Sequence, residues 1–358
     1  MNKDRIQREK GNEDECRGTV EETEKECSTF SRRGFLHAAG AIGAAAAFGG
    51  ISTKLFAQEA GSASDSMLAV TVLGSGGPMV TVDRASPGYL VYVDGVPRIM
   101  MDGGGGTCLS LGQGRIVNLE RLDMWLFSHL HIDHCAEFPA IMKSMYYLRR
   151  SYNTNNPLTI IGPEGGGKFP STTAFVDRMF NPESGIFAYL HDFLQAVYAP
   201  PMKLETRDVP YDYTVVTDPQ VVFEKDGIQI SSIPVMHGPD LTTPSVAFRV
   251  DYGGKSITYS GDLNSDTGNL LTLAMGSDVL IYDASLSPAQ RIEPPDLYHS
   301  LPGEIGKTAQ EAGVRKLVLS HFMPPYTDRK TQEIVDGVKR FYTGEVVLAK
   351  DLLTVTAG

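Results

Sequence analysis

Past about residue 65 the chain is a succession of short apolar runs, each closed by glycine, proline or a polar turn. Residues 68–73 are apolar and β-branched and predict a first strand, ended by the sharp turn Gly74-Ser75-Gly76-Gly77-Pro78. Alternation resumes over 89–93, the hairpin signal Asp94-Gly95 follows, and 98–101 is the returning strand. The run Met124-Trp125-Leu126-Phe127 reads as a buried strand. Further strands are predicted over 158–161, 221–223, 228–235, 245–251, 255–260, 279–282 and 316–320. Helical spacing marks 138–150 and 303–312, the second closed by Gly313. The aromatic-rich stretch 171–198 reads as helices, serving as one wall of a cleft or as core. Strands in mixed series with helices between them predict an α/β domain with a two-sheet core flanked by helices.

The first sixty residues break this pattern. Ser31-Arg32-Arg33-Gly34-Phe35-Leu36 precedes an Ala/Gly-rich run over 38–50, which reads as a twin-arginine export signal. That run is too short and too weakly apolar for a convincing membrane span. Cleavage is expected between about Ala57 and Ala63, after a long, charge-mixed n-region expected to be disordered. The expected domains are therefore a leader over 1–60 and one large single-core domain over 67–358. A periplasmic or secreted workplace follows.

Charge and cysteine narrow the chemistry. The net charge is −11, and 33 acidic residues face 23 basic ones after Ala60. Such a body is a poor general attractor for nucleic acid. Only Cys108 and Cys135 lie outside the leader, so no disulfide framework holds the fold. Cys135 is expected to pack as a small apolar group.

The candidate chemistry sits at strand ends. Three of the eight histidines fall in Ser128-His129-Leu130-His131-Ile132-Asp133-His134. Alternate residues of extended chain point the same way, so His129 and His131 can reach one ion. Asp133 and His134 then turn toward a second. His237, Asp262 and His321 each follow an apolar run. Imidazole with carboxylate suits zinc. Seven groups suit two ions: His129, His131 and His237 on one, Asp133, His134 and His321 on the other, with Asp262 bridging. A shared water of lowered pKa would be the nucleophile. Four glycines after Asp102 provide backbone clearance beside this loop, with Asp102 either supporting the site or merely turning the chain. No Gly-Lys-Ser/Thr follows them, so they are not a nucleotide phosphate loop. Aromatics and arginines over 146–152 read as cations at a helix end, with a nucleic-acid patch as the alternative.

With these residues in view the chain resembles the metallo-β-lactamase superfamily, over nearly all of 70–355. The His-x-His-x-Asp-His signature marks the superfamily. Pro234-Val235-Met236-His237-Gly238, Tyr259-Ser260-Gly261-Asp262, Leu317-Val318-Leu319-Ser320-His321-Phe322 and the opening 72–78 look like its ribonuclease Z and exported arylsulfatase branch. The resemblance implies an αββα sandwich of two mixed sheets. It also matches His299, in Tyr298-His299-Ser300-Leu301 before the last helix, to a histidine that steadies developing charge or protonates the leaving group. Two departures stand out. The family's His-Glu-Ala-Thr is Tyr282-Asp283-Ala284-Ser285 here, and no Gly/Pro-rich tRNA-gripping arm is evident.

The expected function is that of an exported binuclear zinc hydrolase, cleaving a small phosphodiester or aryl sulfate by a metal-bridging hydroxide, with Asp133 and His299 catalytic. The expected partners are a small anionic ester and the twin-arginine translocation machinery, not nucleic acid; a homodimer is left open. The alternatives are a ribonuclease Z-type tRNA 3′-processing endonuclease and a non-catalytic, metal-binding secreted module. A true β-lactamase would want cysteine at the Asp262 motif, and a flavin di-iron reductase would want glutamate at His131.

Overall fold

A computed structural model describes residues 67–358, apart from 80, 117, 153–156, 195–201, 216–217 and 289–297. The export signal and its cleavage region lie outside the described residues. Among the described residues no helix is long and apolar enough to cross a membrane.

Among the described residues, fourteen strands form two seven-stranded sheets. The first holds β1 (Leu68–Gly74), β2 (Gly88–Val93), β3 (Val96–Met101), β4 (Met124–Leu126), β5 (Leu158–Pro163) and β6 (Leu204–Val209). The second holds β7 (Gln220–Lys225), β8 (Ile228–Pro234), β9 (Val246–Tyr252), β10 (Lys255–Tyr259), β11 (Val279–Asp283), β12 (Lys316–Ser320) and β13 (Glu345–Leu348). The chain then returns to the first sheet as β14 (Thr354–Thr356), beside β1. Both sheets are mixed: hairpins join β1 to β3 and β7 to β10, while β3 to β6 and β10 to β13 run parallel. The expected two-sheet architecture flanked by helices is the observed one.

Burial explains why the parallel strands read as unbroken apolar runs. β4 is covered on both faces: Met124 and Leu126 join the core between the sheets, and Trp125 joins a second core beneath the outer helices. The helix Phe138–Tyr152 supplies Phe138 and Ile141 to that outer core. Phe138 meets Trp125 and Phe127 edge-on at 4.9 and 5.2 Å.

The structure also corrects the sequence reading. β4 lies between β3 and β5, so the histidine loop leaves the C-terminal end of an interior strand. Phe175 and Phe180 pack on Phe138, which makes the 171–180 aromatics core rather than cleft wall. Arg149 lies in the last turn of the helix Phe138–Tyr152 as a helix-end cation, but it is buried and donates to the Leu122 carbonyl, so it is not a nucleic-acid contact. β6, β13, β14 and the helix Asp328–Lys339 are elements that the apolar pattern did not single out. The helix after His299, Pro302–Glu311, is therefore not the last.

Candidate metal centre

Four strand ends from both sheets converge on one rim. His129 and His131 leave β4, and Asp133 and His134 sit on the one-turn helix Ile132–Cys135. His237 follows β8, Asp262 follows β10 and His321 follows β12. The Ser128 carbonyl accepts from Val246 N at 2.9 Å, which ties the histidine loop to the second sheet. Met236 and Asn264 form an isolated bridge that sets the His237 and Asp262 loops side by side.

The ligand atoms form two groups. In the first, His131 Nδ1 lies 3.0 Å from His129 Nε2 and 3.2 Å from His237 Nε2. In the second, His134 Nε2 lies 3.3 Å from His321 Nε2, 3.5 Å from Asp133 Oδ2 and 3.4 Å from Asp262 Oδ2. His321 Nε2 is 3.4 Å from Asp133 Oδ2 and 3.1 Å from Asp262 Oδ2. A tetrahedron with metal–ligand bonds of about 2.0–2.1 Å has edges of about 3.3 Å, so both groups have the spacing of ligands around one small cation. Asp262 Oδ2 also stands 3.9 Å from His237 Nε2, between the groups. Asp262 Oδ1 is buried and has no hydrogen-bond partner among the described residues, as expected of an oxygen meant for a cation. His237, Asp262 and His299 form a third close group, which sets His299 beside the ligands.

Hydrogen bonds behind the rings fix which nitrogen faces inward. Asp102 is the hub. Fully buried at the end of β3, its carboxylate accepts from Ser128 N at 2.8 Å, Ser128 Oγ at 2.7 Å, His134 Nδ1 at 2.8 Å and Tyr259 Oη at 2.7 Å. With its proton on Asp102, Ser128 Oγ accepts from His129 Nδ1 at 3.0 Å. The Tyr298 carbonyl takes the Nδ1–H of His237 at 2.8 Å. Ser285 Oγ lies 2.7 Å from His321 Nδ1 and 2.5 Å from Asp283 Oδ1. The other oxygen of Asp283 holds His299 Nδ1 at 2.6 Å. His299 is thus held by a carboxylate and does not cap the next helix, whose N-cap is Leu301.

Electrostatics separates the two groups. Burial holds His129 well below its ordinary pKa, lowers His131 and brings His237 to about 4. Burial also disfavours charge on the second group, but the attraction between imidazoles and carboxylates outweighs it. His134 and His321 rise, while Asp133 and Asp262 fall.

Two glycines make the close approaches possible. A Cβ on Gly104 would come within 1.7 Å of the Asp133 carbonyl oxygen, and one on Gly261, where φ is 59°, within 2.8 Å of Ser128 Cβ. The glycine run after Asp102 therefore gives the metal loop its clearance. Cys135 is buried beneath, its thiol pushed up to about 12 by burial; it and Cys108 are free. Sequence reasoning missed Tyr259 and assigned no role to Asp283 or Ser285. The signal for those two was the departure at 282–285, which needs the strand order to become legible.

A family profile described as "Beta-lactamase superfamily domain" matches residues 179–322, which carry His237, Asp262, His299 and His321. "Ribonuclease Z" from Mycobacterium sp. (strain KMS) is 31% identical over 265 residues, covering 72% of this chain and 85% of the relative. The chain belongs to the ribonuclease Z branch of the metallo-β-lactamase superfamily. Membership makes it a metal-dependent hydrolase by family, with clusters of residues able to hold metal. Among solved structures, the metallo-β-lactamase fold protein YhfI from Bacillus subtilis matches at a TM-score of 0.59 and 20% identity, over 80% of this chain and 98% of that one. Human tRNase Z, short form, matches at 0.57 and 20%, over 81% and 99%. These two likenesses show the fold.

Proposed function

We propose that the protein is a zinc-dependent phosphodiesterase of the ribonuclease Z type. Its two metal positions are His129, His131 and His237, and Asp133, His134 and His321, with Asp262 shared. The supporting observation is the spacing of the seven ligand atoms, all inward-facing and two groups wide. Zinc, when bound, supplies Lewis-acid polarisation of the phosphoryl oxygens and a lower pKa for an attacking water.

The chain's own residues do the remaining work. Asp133, at the cleft wall, orients the attacking water. His299 lines the same wall, and Asp283 sets the orientation of its ring, so it serves the departing oxygen as proton donor. The names of the relatives favour an RNA phosphodiester as substrate. A second reading, an exported hydrolase of a small phosphodiester or aryl sulfate, is favoured by the twin-arginine pattern at 31–36 and the acidic body.

One assay series separates them. Zinc-loaded protein is offered bis(4-nitrophenyl) phosphate, 4-nitrophenyl sulfate and a precursor-tRNA transcript. The first reading expects zinc-dependent cleavage of the phosphodiester and the transcript. Turnover of the sulfate alone would overturn it, and turnover of the small phosphodiester without the transcript would favour the second reading. A reporter fused to residues 1–66 and exported only with the Arg32-Arg33 pair intact would support the periplasmic placement.

A further inference from the structure

We propose that Arg84 and Asp351 are positioning residues: from outside the cleft they latch the turn after β1 onto His321 and so set how tightly the second metal position holds its ion. This rests on the two-position reading above. His321 needs to be held. Its backbone stands at φ 57°, in the left-handed region that a residue other than glycine occupies only at a cost. The turn 75–77 keeps it there. Phe322 N donates to the Ser75 carbonyl at 3.0 Å, and Gly77 N donates to the Phe322 carbonyl at 3.0 Å. A Cβ on Gly77 would lie 3.0 Å from His321 Cε1, so bare backbone lies against the ligand ring.

Arg84 and Asp351 hold that turn in place. Ser75 is fully buried, and both residues meet on it. Its hydroxyl accepts from Arg84 Nη1 at 2.6 Å and donates to Asp351 Oδ1 at 2.6 Å, while its N–H donates to the same oxygen at 3.0 Å. Asp351 Oδ2 accepts from Ala85 N at 2.6 Å, which closes the loop 75–85 on one carboxylate. Arg84 Nη1 also donates to the Ala349 carbonyl at 2.7 Å. The guanidinium lies over the rings of Phe322 and Tyr326, 4.7 and 5.3 Å from their centres. One side chain thus touches the turn, the crossing from β13 to β14 and the residue next to the ligand.

Neither residue lines the cleft over the metal centre. Arg84 and Asp351 line a separate hollow of about 350 Å³, with Val82 and Leu109. Burial lowers the pKa of the guanidinium, and the charge of Asp351 is the largest influence that opposes it. Loss of either residue frees the turn, lets the His321 backbone relax and moves its ring off the second position. The first position is aimed from elsewhere, by Ser128 and the Tyr298 carbonyl, and should not feel the loss.

The test is cadmium-113 NMR of the cadmium-loaded full-length chain, with chelator titration of the zinc-loaded one. The variants are Arg84→Ala, Arg84→Lys and Asp351→Asn. The cadmium resonance that His131→Ala abolishes marks the first position. In Arg84→Ala the other resonance should shift and the zinc affinity of that position should fall about tenfold, the low end for partners that orient a ligand. The first position should keep both its resonance and its affinity. Asp351→Asn should do the same. Arg84→Lys should recover part of the loss, since an ammonium keeps charge over Phe322 but not the planar fork. KM for bis(4-nitrophenyl) phosphate at saturating zinc should not move. Equal loss at both positions would mean a general loosening of the fold and would overturn the inference. So would an unchanged zinc affinity in Arg84→Ala, or a raised KM with zinc affinity intact, which would make Arg84 a substrate contact. If Arg84→Ala does not fold, Arg84→Lys and Asp351→Asn decide by the same criteria. A wild-type chain that takes up fewer than two ions would instead bring down the two-position reading, and this inference with it.

Discussion

His129, His131 and His237 meet as three imidazoles kept neutral by burial, whereas His134 and His321 meet Asp133 and Asp262 as charge-matched pairs. The first group is aimed by a serine hydroxyl and a backbone carbonyl. The second is aimed by carboxylates, directly at His134 and through Ser285 at His321. The difference teaches where each group is vulnerable. Burial and hydrogen bonds to Ser128 and Tyr298 shape the first, and imidazole–carboxylate attraction shapes the second. Asp262 and Asp102 are the two residues on which both depend, one between the rings and one behind them.

The strongest way to break the contrast is to remove what the halves share. Asp262→Ala should cost about 10³-fold in kcat/KM, several kcal/mol of lost polarisation, and should lower zinc content at both positions. Loss of one ion per chain by metal analysis would show the halves to be independent. His299→Gln should cost about 10²–10³-fold in kcat with zinc content unchanged, as expected of a proton donor outside both groups. A parallel loss of zinc would instead make it a ligand beside His237. Asp102→Asn should weaken zinc affinity about 10–100-fold, since it serves His134 directly and His129 through Ser128. Titration with a competing chelator measures it, and an effect confined to one ion would limit the hub to His134. Ser285→Ala should have the smallest effect, about tenfold on the second ion alone. Equal weakening of both ions in that variant would dissolve the distinction.

Much of this centre was legible because its signals are local. An apolar run ending in alternating histidines announces a strand end, and His237, Asp262 and His321 carry the same mark. Strand order has no such local signature. β11 lies between β10 and β12, so its end must stand between Asp262 and His321. That fact gives Asp283 and Ser285 their place, and nothing in Tyr-Asp-Ala-Ser states it. β6 escaped because Leu204–Val209 mixes charged and apolar residues on a half-exposed edge strand. Arg149 stands at the helix end as its type and position suggest, but only the packing shows it turned inward toward Leu122.

One loop belongs to the first sheet and three belong to the second, and this has a consequence beyond chemistry. Capturing an ion and keeping the two halves of the sandwich shut become a single equilibrium, because neither half alone presents a complete cage. An ion held at a hundred times its dissociation constant adds about 2.7 kcal/mol against unfolding. A cell starved of the metal would then hold an enzyme that is not only idle but softer, melting earlier and yielding sooner to proteases.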